Sequence, residues 1–149
     1  MLFILFPLLL FIALDDIRHL RVRNWASALL AATGGLDAAL SGRLADGLAG
    51  GVLGYGLIFV AAVWYHHWRG KEGIGMGDAK LLGAGGVWTG VLEIPFALLV
   101  ASVCALLAVW LLPARLAIGS RSGKIPFAPF LCAGILAGWT GIGKTLVLS

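Results

Sequence analysis

Long apolar runs recur along the whole chain, and they restrict its possible folds more than any other feature. Hydrophobic residues fill 60% of the 149 positions and charged residues 12%, whereas a soluble domain is about half apolar and about a quarter charged. Hydrocarbon offers the backbone no hydrogen bonds, so only helices and closed barrels cross a membrane. The runs lack the alternating pattern of barrel strands. The sequence therefore predicts an all-α, polytopic membrane protein.

Six helical segments can be drawn from these runs, several of them shorter than the usual ~20 residues of a membrane span. They cover roughly 1–17, 25–41, 45–65, 78–92, 94–114 and 126–146. The first is followed by acidic residues instead of a small-residue cleavage site, so we interpret it as a retained helix and not as a signal peptide. We expect one transmembrane domain, 1–149, with about six transmembrane helices.

Basic residues are divided unequally between the two ends of the predicted helices. One end collects nine of them: Arg18, Arg21, Arg23, Arg69, Lys71, Lys80, Arg115, Arg121 and Lys124. Only Arg43 and Lys144 fall at the other end. Because Lys and Arg collect on the cytoplasmic side of membranes, we expect the first end to face the cytoplasm. The net charge of +4 then needs no nucleic-acid partner.

Glycines recur at a spacing of four in the third and fourth segments. The pairs are Gly47 with Gly51, Gly50 with Gly54, and Gly86 with Gly90. This spacing favours close contact between helix backbones in a membrane.

Three of the seven acidic residues border apolar runs, namely Asp15, Asp16 and Asp78. Asp37, Asp46, Glu72 and Glu93 are instead interpreted as solvated charges, most of them in hinges. The first helix ends at Asp16 and the fourth begins at Asp78, so the number of crossings places both at the same, cytoplasmic, end. Ionisable groups at that depth are costly and indicate a function.

Two carboxylates that share a partly dehydrated site do not both ionise easily, so the pair can hold one proton between them. Such a pair supplies a general base that activates water and a general acid that protonates a leaving amine, as in aspartic proteases. A proton relay or an ion-coupled transport site uses the same residues in the same places. The residues alone leave both functions open, and a non-catalytic scaffold is a third alternative.

The surroundings of Asp78 fit the approach of a peptide. Gly75 and Gly77 carry no side chains beside it, so an extended backbone has room to come close. The unpaired N–H groups at the start of the fourth helix favour a carboxylate there. For Lys80 the simplest role is interfacial snorkelling, with tuning of the aspartate pair as the alternative.

Two motifs resemble those of the type IV prepilin peptidase family. GMGDAKLL (75–82) resembles the family's GxGD motif, and DIRHLRVRN (16–24) matches its other signature at Asp16, Arg18, Arg21 and Asn24. The spacing within the second motif selects Asp16 instead of Asp15. The resemblance implies that Asp16 and Asp78 are the catalytic aspartates. Presenilin-type proteases share GxGD, but they carry their aspartates on neighbouring helices, which fits less well.

The rest of the chain adds to this resemblance and shows two departures from it. IPFAPFLCAG (125–134), with Pro126 and Pro129, resembles the start of the family's last helix. Arg23 stands where the family usually has proline, so we expect a looser turn there. The chain also has no cytoplasmic insert with paired cysteines. It therefore resembles the short, peptidase-only form of tight-adherence (Flp-type) pilus systems, and N-methylation is left open.

The resemblance implies a specific activity and location. The enzyme would remove the leader of a single-span prepilin-like or pseudopilin substrate at the cytoplasmic face of the bacterial inner membrane, without a cofactor. The substrate would carry a basic leader, a glycine before the cut and an apolar helix lying in the lipid bilayer.

Other apparent motifs predict neither a nucleotide nor a metal. GWTGIGKT (138–145) fits the phosphate-binding pattern GxxxxGK[ST], but too little chain follows it for the helix that such a loop requires. Cys104 and Cys132 are interpreted as buried thiols. His66 and His67 lie among aromatic residues and are interpreted as interfacial anchors.

Overall fold

A computed structural model describes residues 2–19, 23–70, 75–111 and 127–141 of the chain, and within these ranges all regular structure is helical. The described ranges contain six α-helices, and a 3₁₀ turn, Val91–Glu93, precedes the fifth of them. The helices are α1 (Leu2–His19), α2 (Asn24–Leu40), α3 (Leu44–Arg69), α4 (Met76–Thr89), α5 (Ile94–Leu111) and α6 (Ala128–Trp139). The prediction of an all-α protein is confirmed. The predicted helix ends at 112–114, 126 and 142–146 lie outside the described residues.

Two helices end at a glycine and not at the position that the apolar pattern predicted. α3 continues four residues past its predicted end at 65, and it stops where Gly70 takes a left-handed φ of 61° and donates its N–H to His66. α4 ends three residues before its predicted end at 92 because Gly90 takes a φ of 87°. Only glycine adopts such conformations readily.

α4 forms the centre of the bundle and packs against α2, α3 and α6. Every residue from Leu81 to Thr89 is buried. Because other helices cover this stretch of α4, it needs no polar stripe of the kind that a surface helix carries.

Glycines allow α3 and α4 to touch along their backbones. A Cβ atom added at Gly50 would lie 2.5 Å from the carbonyl oxygen of Gly86, and one at Gly54 would lie 2.8 Å from that of Leu82. Both distances are too short for any side chain. The glycine spacing therefore predicted this close helix contact correctly.

The interpretation of Asp37 and Glu93 as solvated charges is wrong. Asp37 is buried in the last turn of α2, where it accepts a hydrogen bond of 3.0 Å from Arg43. Arg43 also donates to the carbonyl of Trp88 over 2.7 Å and so caps the end of α4. Glu93 is completely buried, because the turn before α5 folds it against α6 near Gly138.

Within the part of the chain that the structure describes, two helical stretches are long and apolar enough to cross a membrane by their length and composition, Leu44–Arg69 and Val91–Leu111. Much of their surface faces outward and carries large apolar side chains, including those of Val52, Leu106 and Trp110. Extended exposed apolar faces of this kind are unusual on soluble monomers and suit contact with lipid.

Candidate active site

The burial pattern of α1 separates its two adjacent aspartates. Leu5, Leu9, Ile12 and Asp16 are all buried, and their spacing of four, three and four places them on one face of the helix. Asp16 ends this face with only 6% of its surface exposed. The helix thus carries Asp16 into the bundle on the same face as its apolar anchors.

Asp15 points away from that face and is held by ion pairs. Its carboxylate lies 3.0 Å from Nδ1 of His19 and 3.3 Å from Nε of Arg23. The contact with Arg23 bridges the connection between α1 and α2. Arg23 also adopts a φ of −70°, close to the angle that proline imposes. Residues 20–22 of this turn lie outside the described ranges, so the looser turn stays a prediction.

The start of α6 supplies a hydrogen-bond donor to Asp16. The carboxylate of Asp16 accepts a hydrogen bond from the backbone N–H of Ala128, the first residue of α6. The first N–H groups of a helix have no partner inside the helix and are available to such an acceptor. Pro129 follows in the first turn, where its missing N–H costs little. Pro126 lies outside the described residues.

Asp78 lies in the first turn of α4, at the same end of the bundle as Asp16. The two carboxylates are close enough to repel each other electrostatically. The prediction that Asp16 and Asp78 share one end of the bundle is confirmed, whereas the cytoplasmic location of that end stays a prediction. A Cβ atom added at Gly75 would lie 3.5 Å from Oδ2 of Asp78, so the glycine leaves this carboxylate open on one side. Gly77, between them, is half-buried.

Cys132 lies one turn further along α6 than Ala128. Its side chain is buried, as the sequence predicted, and it lies within electrostatic range of both Asp16 and Asp78. Sequence reasoning did not place this thiol or the Ala128 N–H beside the aspartates. The only signal in the sequence was the spacing of four between Ala128 and Cys132 in the IPFAPFLCAG stretch, because this spacing puts both residues on one helix face.

The supporting residues Lys80 and Asn24 contact each other and not the aspartates. Nζ of Lys80 donates a hydrogen bond of 2.9 Å to Oδ1 of Asn24, the first residue of α2. Lys80 follows Asp78 by two positions, and its side chain therefore points about 200° away from Asp78 around α4. Arg18 is exposed near the end of α1. Within the described ranges no three His, Cys, Asp or Glu side chains are grouped so that they could hold a metal ion.

The profile of the type IV leader peptidase family matches residues 3–111 of this chain, a range that includes both aspartates. The chain belongs to the type IV leader peptidase family. The resemblance of its two motifs is thereby confirmed.

Curated relatives in this family carry related names. The prepilin leader peptidase/N-methyltransferase of Pseudomonas putida is 38% identical over 105 residues, which are 66% of this chain and 33% of that protein. The leader peptidase HopD of Escherichia coli is 38% identical over 104 residues, 66% of this chain and 64% of that protein. The chain thus spans a third of the first relative and less than two thirds of the second. No solved structure matches the chain.

Proposed function

We propose that this family member is a membrane aspartic endopeptidase that removes the leader of prepilin-like, Flp-type substrates. The observation that carries the proposal is the meeting of Asp16 and Asp78 at one end of the bundle, within electrostatic range of each other. Each aspartate comes from a different family motif. Asp16 is buried and Asp78 half-buried, so both carboxylates are partly removed from water.

The contacts of the two aspartates support different roles for them. A hydrogen bond from an N–H group favours the ionised form of a carboxylate, and Asp16 receives one from Ala128. Asp16 is thus the better general base, while repulsion between the carboxylates leaves the shared proton on Asp78.

The proposed hydrolysis then proceeds in two proton-coupled steps. In the first, Asp16 takes a proton from water while the water oxygen bonds to the scissile carbonyl carbon, and Asp78 donates its proton to the carbonyl oxygen. In the second, the tetrahedral intermediate collapses and the C–N bond breaks. The proton on Asp16 passes to the leaving amine, and the hydroxyl proton returns to Asp78. No cofactor enters either step.

Charge and apolar surface support the placement of the enzyme in the bacterial inner membrane, with six spans and the aspartates toward the cytoplasm. Arg18, Arg23, Arg69 and Lys80 are exposed, and each lies on the helix end or connection that shares the side of the aspartates. Arg43, at the other end, is bonded to Trp88 and Asp37. Among the described residues, exposed positive charge is thus concentrated on the side of the aspartates, which supports a cytoplasmic location for that side.

Co-expression with candidate prepilins tests this function. The mass of the membrane-extracted substrate should fall by the mass of its leader when the wild-type enzyme is present, and not when Asp78→Asn replaces it. Accumulation of both enzymes in the membrane is the control. An intact substrate together with aspartate-dependent proton uptake by reconstituted vesicles would support the transport alternative and contradict the peptidase.

A further inference from the structure

A groove of about 690 Å³ lies between α2 and α3, with α4 as its floor. It is open to the side of the bundle, and its lining is mostly apolar. Small residues form much of the floor and walls: Ala28, Ala31, Gly51, Gly83 and Ala84. Small residues let the backbone of another helix approach closely within a membrane.

One end of this groove is polar. Asn24, Ser27 and Lys80 line it there. Ser27 is only 5% exposed, and its Oγ has no hydrogen-bond partner within the part of the chain that the structure describes. A buried hydroxyl without a partner costs free energy. A ligand that fills the groove would supply the missing partner.

This polar end is connected to Asp78 around the start of α4. The groove face of α4 carries Lys80, Gly83 and Val87, whereas Asp78 lies about 160° further round the helix. Gly77 lies between Lys80 and Asp78 in this direction, since successive helical residues are ~100° apart. The path from Lys80 past Gly77 to Asp78 follows this arc around a helix of about 5–6 Å radius. It is about 15 Å long, which is the span of four or five extended residues.

We propose that this groove holds the first turns of the substrate's apolar helix, while the extended segment before that helix crosses Gly77 to reach Asp78. The inference rests on the proposed function and names the surface that recognises the substrate. Contact between an apolar helix and a groove is a common recognition mode. The groove contacts α4 from Lys80 to Val87, or about 10 Å of helix, enough for two turns.

The polar end suits the first turn of such a helix. The first N–H groups of a helix have no internal partner, and Oγ of Ser27 is positioned to accept a hydrogen bond from one of them. Lys80 uses one of its three donors on Asn24. Its remaining donors are available to carbonyl groups of the extended segment.

Filling the groove tests the proposal, and α3 offers a matched control. Val52 lines the groove and is 74% exposed, while Val60 is 65% exposed and lies two turns further along α3, outside it. Val52→Trp should raise KM for a full-length prepilin about tenfold, a loss of about 1.4 kcal/mol of binding. Val60→Trp should leave KM unchanged. A soluble peptide that contains the cleavage site but no apolar helix should be cleaved alike by both variants.

Each outcome of this comparison has a defined meaning. Equal KM values for the two variants on the full-length substrate would overturn the groove proposal, as would an equal loss of cleavage on both substrates. Altered retention of phospholipid by Val52→Trp, without a kinetic change, would identify the occupant as lipid. A wild-type enzyme that cleaves neither substrate would contradict the proposed function itself.

Ser27→Ala gives a second, independent measurement. Because its hydroxyl has no partner among the described residues, its removal should leave the melting temperature unchanged or slightly higher. KM for the full-length substrate should nevertheless rise by about threefold to tenfold, the loss of one hydrogen bond to the substrate. An unchanged KM would contradict the role of Ser27 and the position of the helix end.

Discussion

Nζ of Lys80 and Oδ1 of Asn24 are 2.9 Å apart and join the two family motifs by a hydrogen bond. Lys80 follows Asp78 in the GMGDAKLL motif (75–82), and Asn24 ends the DIRHLRVRN motif (16–24) that begins at Asp16. The bond fixes α2 against α4 near the aspartates without contacting them. The contact holds two helices together, and the snorkelling and tuning roles of Lys80 stay predictions.

A double-mutant cycle should show that this bond couples Lys80 to Asn24. Lys80→Met and Asn24→Ala should each lower the free energy of unfolding by about 1 kcal/mol. Together they should cost no more than either alone, since both remove the same bond. Melting temperatures of the detergent-solubilised variants measure this. Additive losses would show that the two side chains act independently.

The proposed catalytic pair should lose its activity when either carboxylate is replaced by an uncharged amide. Asp16→Asn or Asp78→Asn should lower kcat by at least about a hundredfold, because each removes an acid/base group while keeping its volume. Asp15→Asn should keep substantial activity and lose no more than about 1 kcal/mol of stability, since it breaks only ion pairs near the surface. Leader removal followed by mass spectrometry measures these effects. An essential Asp15 with a dispensable Asp16 would show that the motif was aligned wrongly.

Bulk at the glycines beside Asp78 should impair catalysis more than folding. Among the described residues, a Cβ at Gly75 would lie 3.5 Å from Oδ2 of Asp78 and no closer than 4.0 Å to the backbone N of Gly77. Gly75→Val should therefore lose cleavage with little change in melting temperature. We expect the same of Gly77→Val. Gly50→Val is the contrasting control, because its Cβ would lie 2.5 Å from the Gly86 carbonyl oxygen and must separate α3 from α4. Equal destabilisation of all three, with matching loss of activity, would mean that these glycines serve packing alone.

Arg43 should contribute to stability and not to chemistry. It bonds Asp37 and the end of α4 at the side of the bundle away from the aspartates. Arg43→Gln should therefore lower the free energy of unfolding by about 1–3 kcal/mol, the usual cost of losing charged hydrogen bonds. The kcat of the folded fraction should be unchanged. A lower kcat at full folding would require coupling between the two ends of the bundle.

Chelators and the removal of ATP should leave the detergent-solubilised activity unchanged. The proposed steps use only carboxylates and water. Cleavage rates with and without EDTA, and after nucleotide depletion, measure this directly. Inhibition by EDTA that zinc reverses would contradict the metal-free mechanism.

Helical periodicity and the number of crossings were sufficient to predict much of this protein. The six helices of the described ranges, the shared end of Asp16 and Asp78, and the α3–α4 glycine contact all follow from the order of residues along the chain. The choice of Asp16 instead of Asp15 followed from motif spacing, and the burial of Leu5, Leu9 and Ile12 agrees with it. These are properties of single helices, which spacing specifies directly.

Packing between distant helices decided the remainder. Only the folded chain brings the Ala128 N–H to Asp16, places Cys132 within electrostatic range of both carboxylates, and joins Lys80 to Asn24 across 56 positions. It also buries Asp37 and Glu93, which look like hinge charges in the sequence. A periodic pattern shows which face of a helix is covered, but the covering helix is selected by how all the faces fit together.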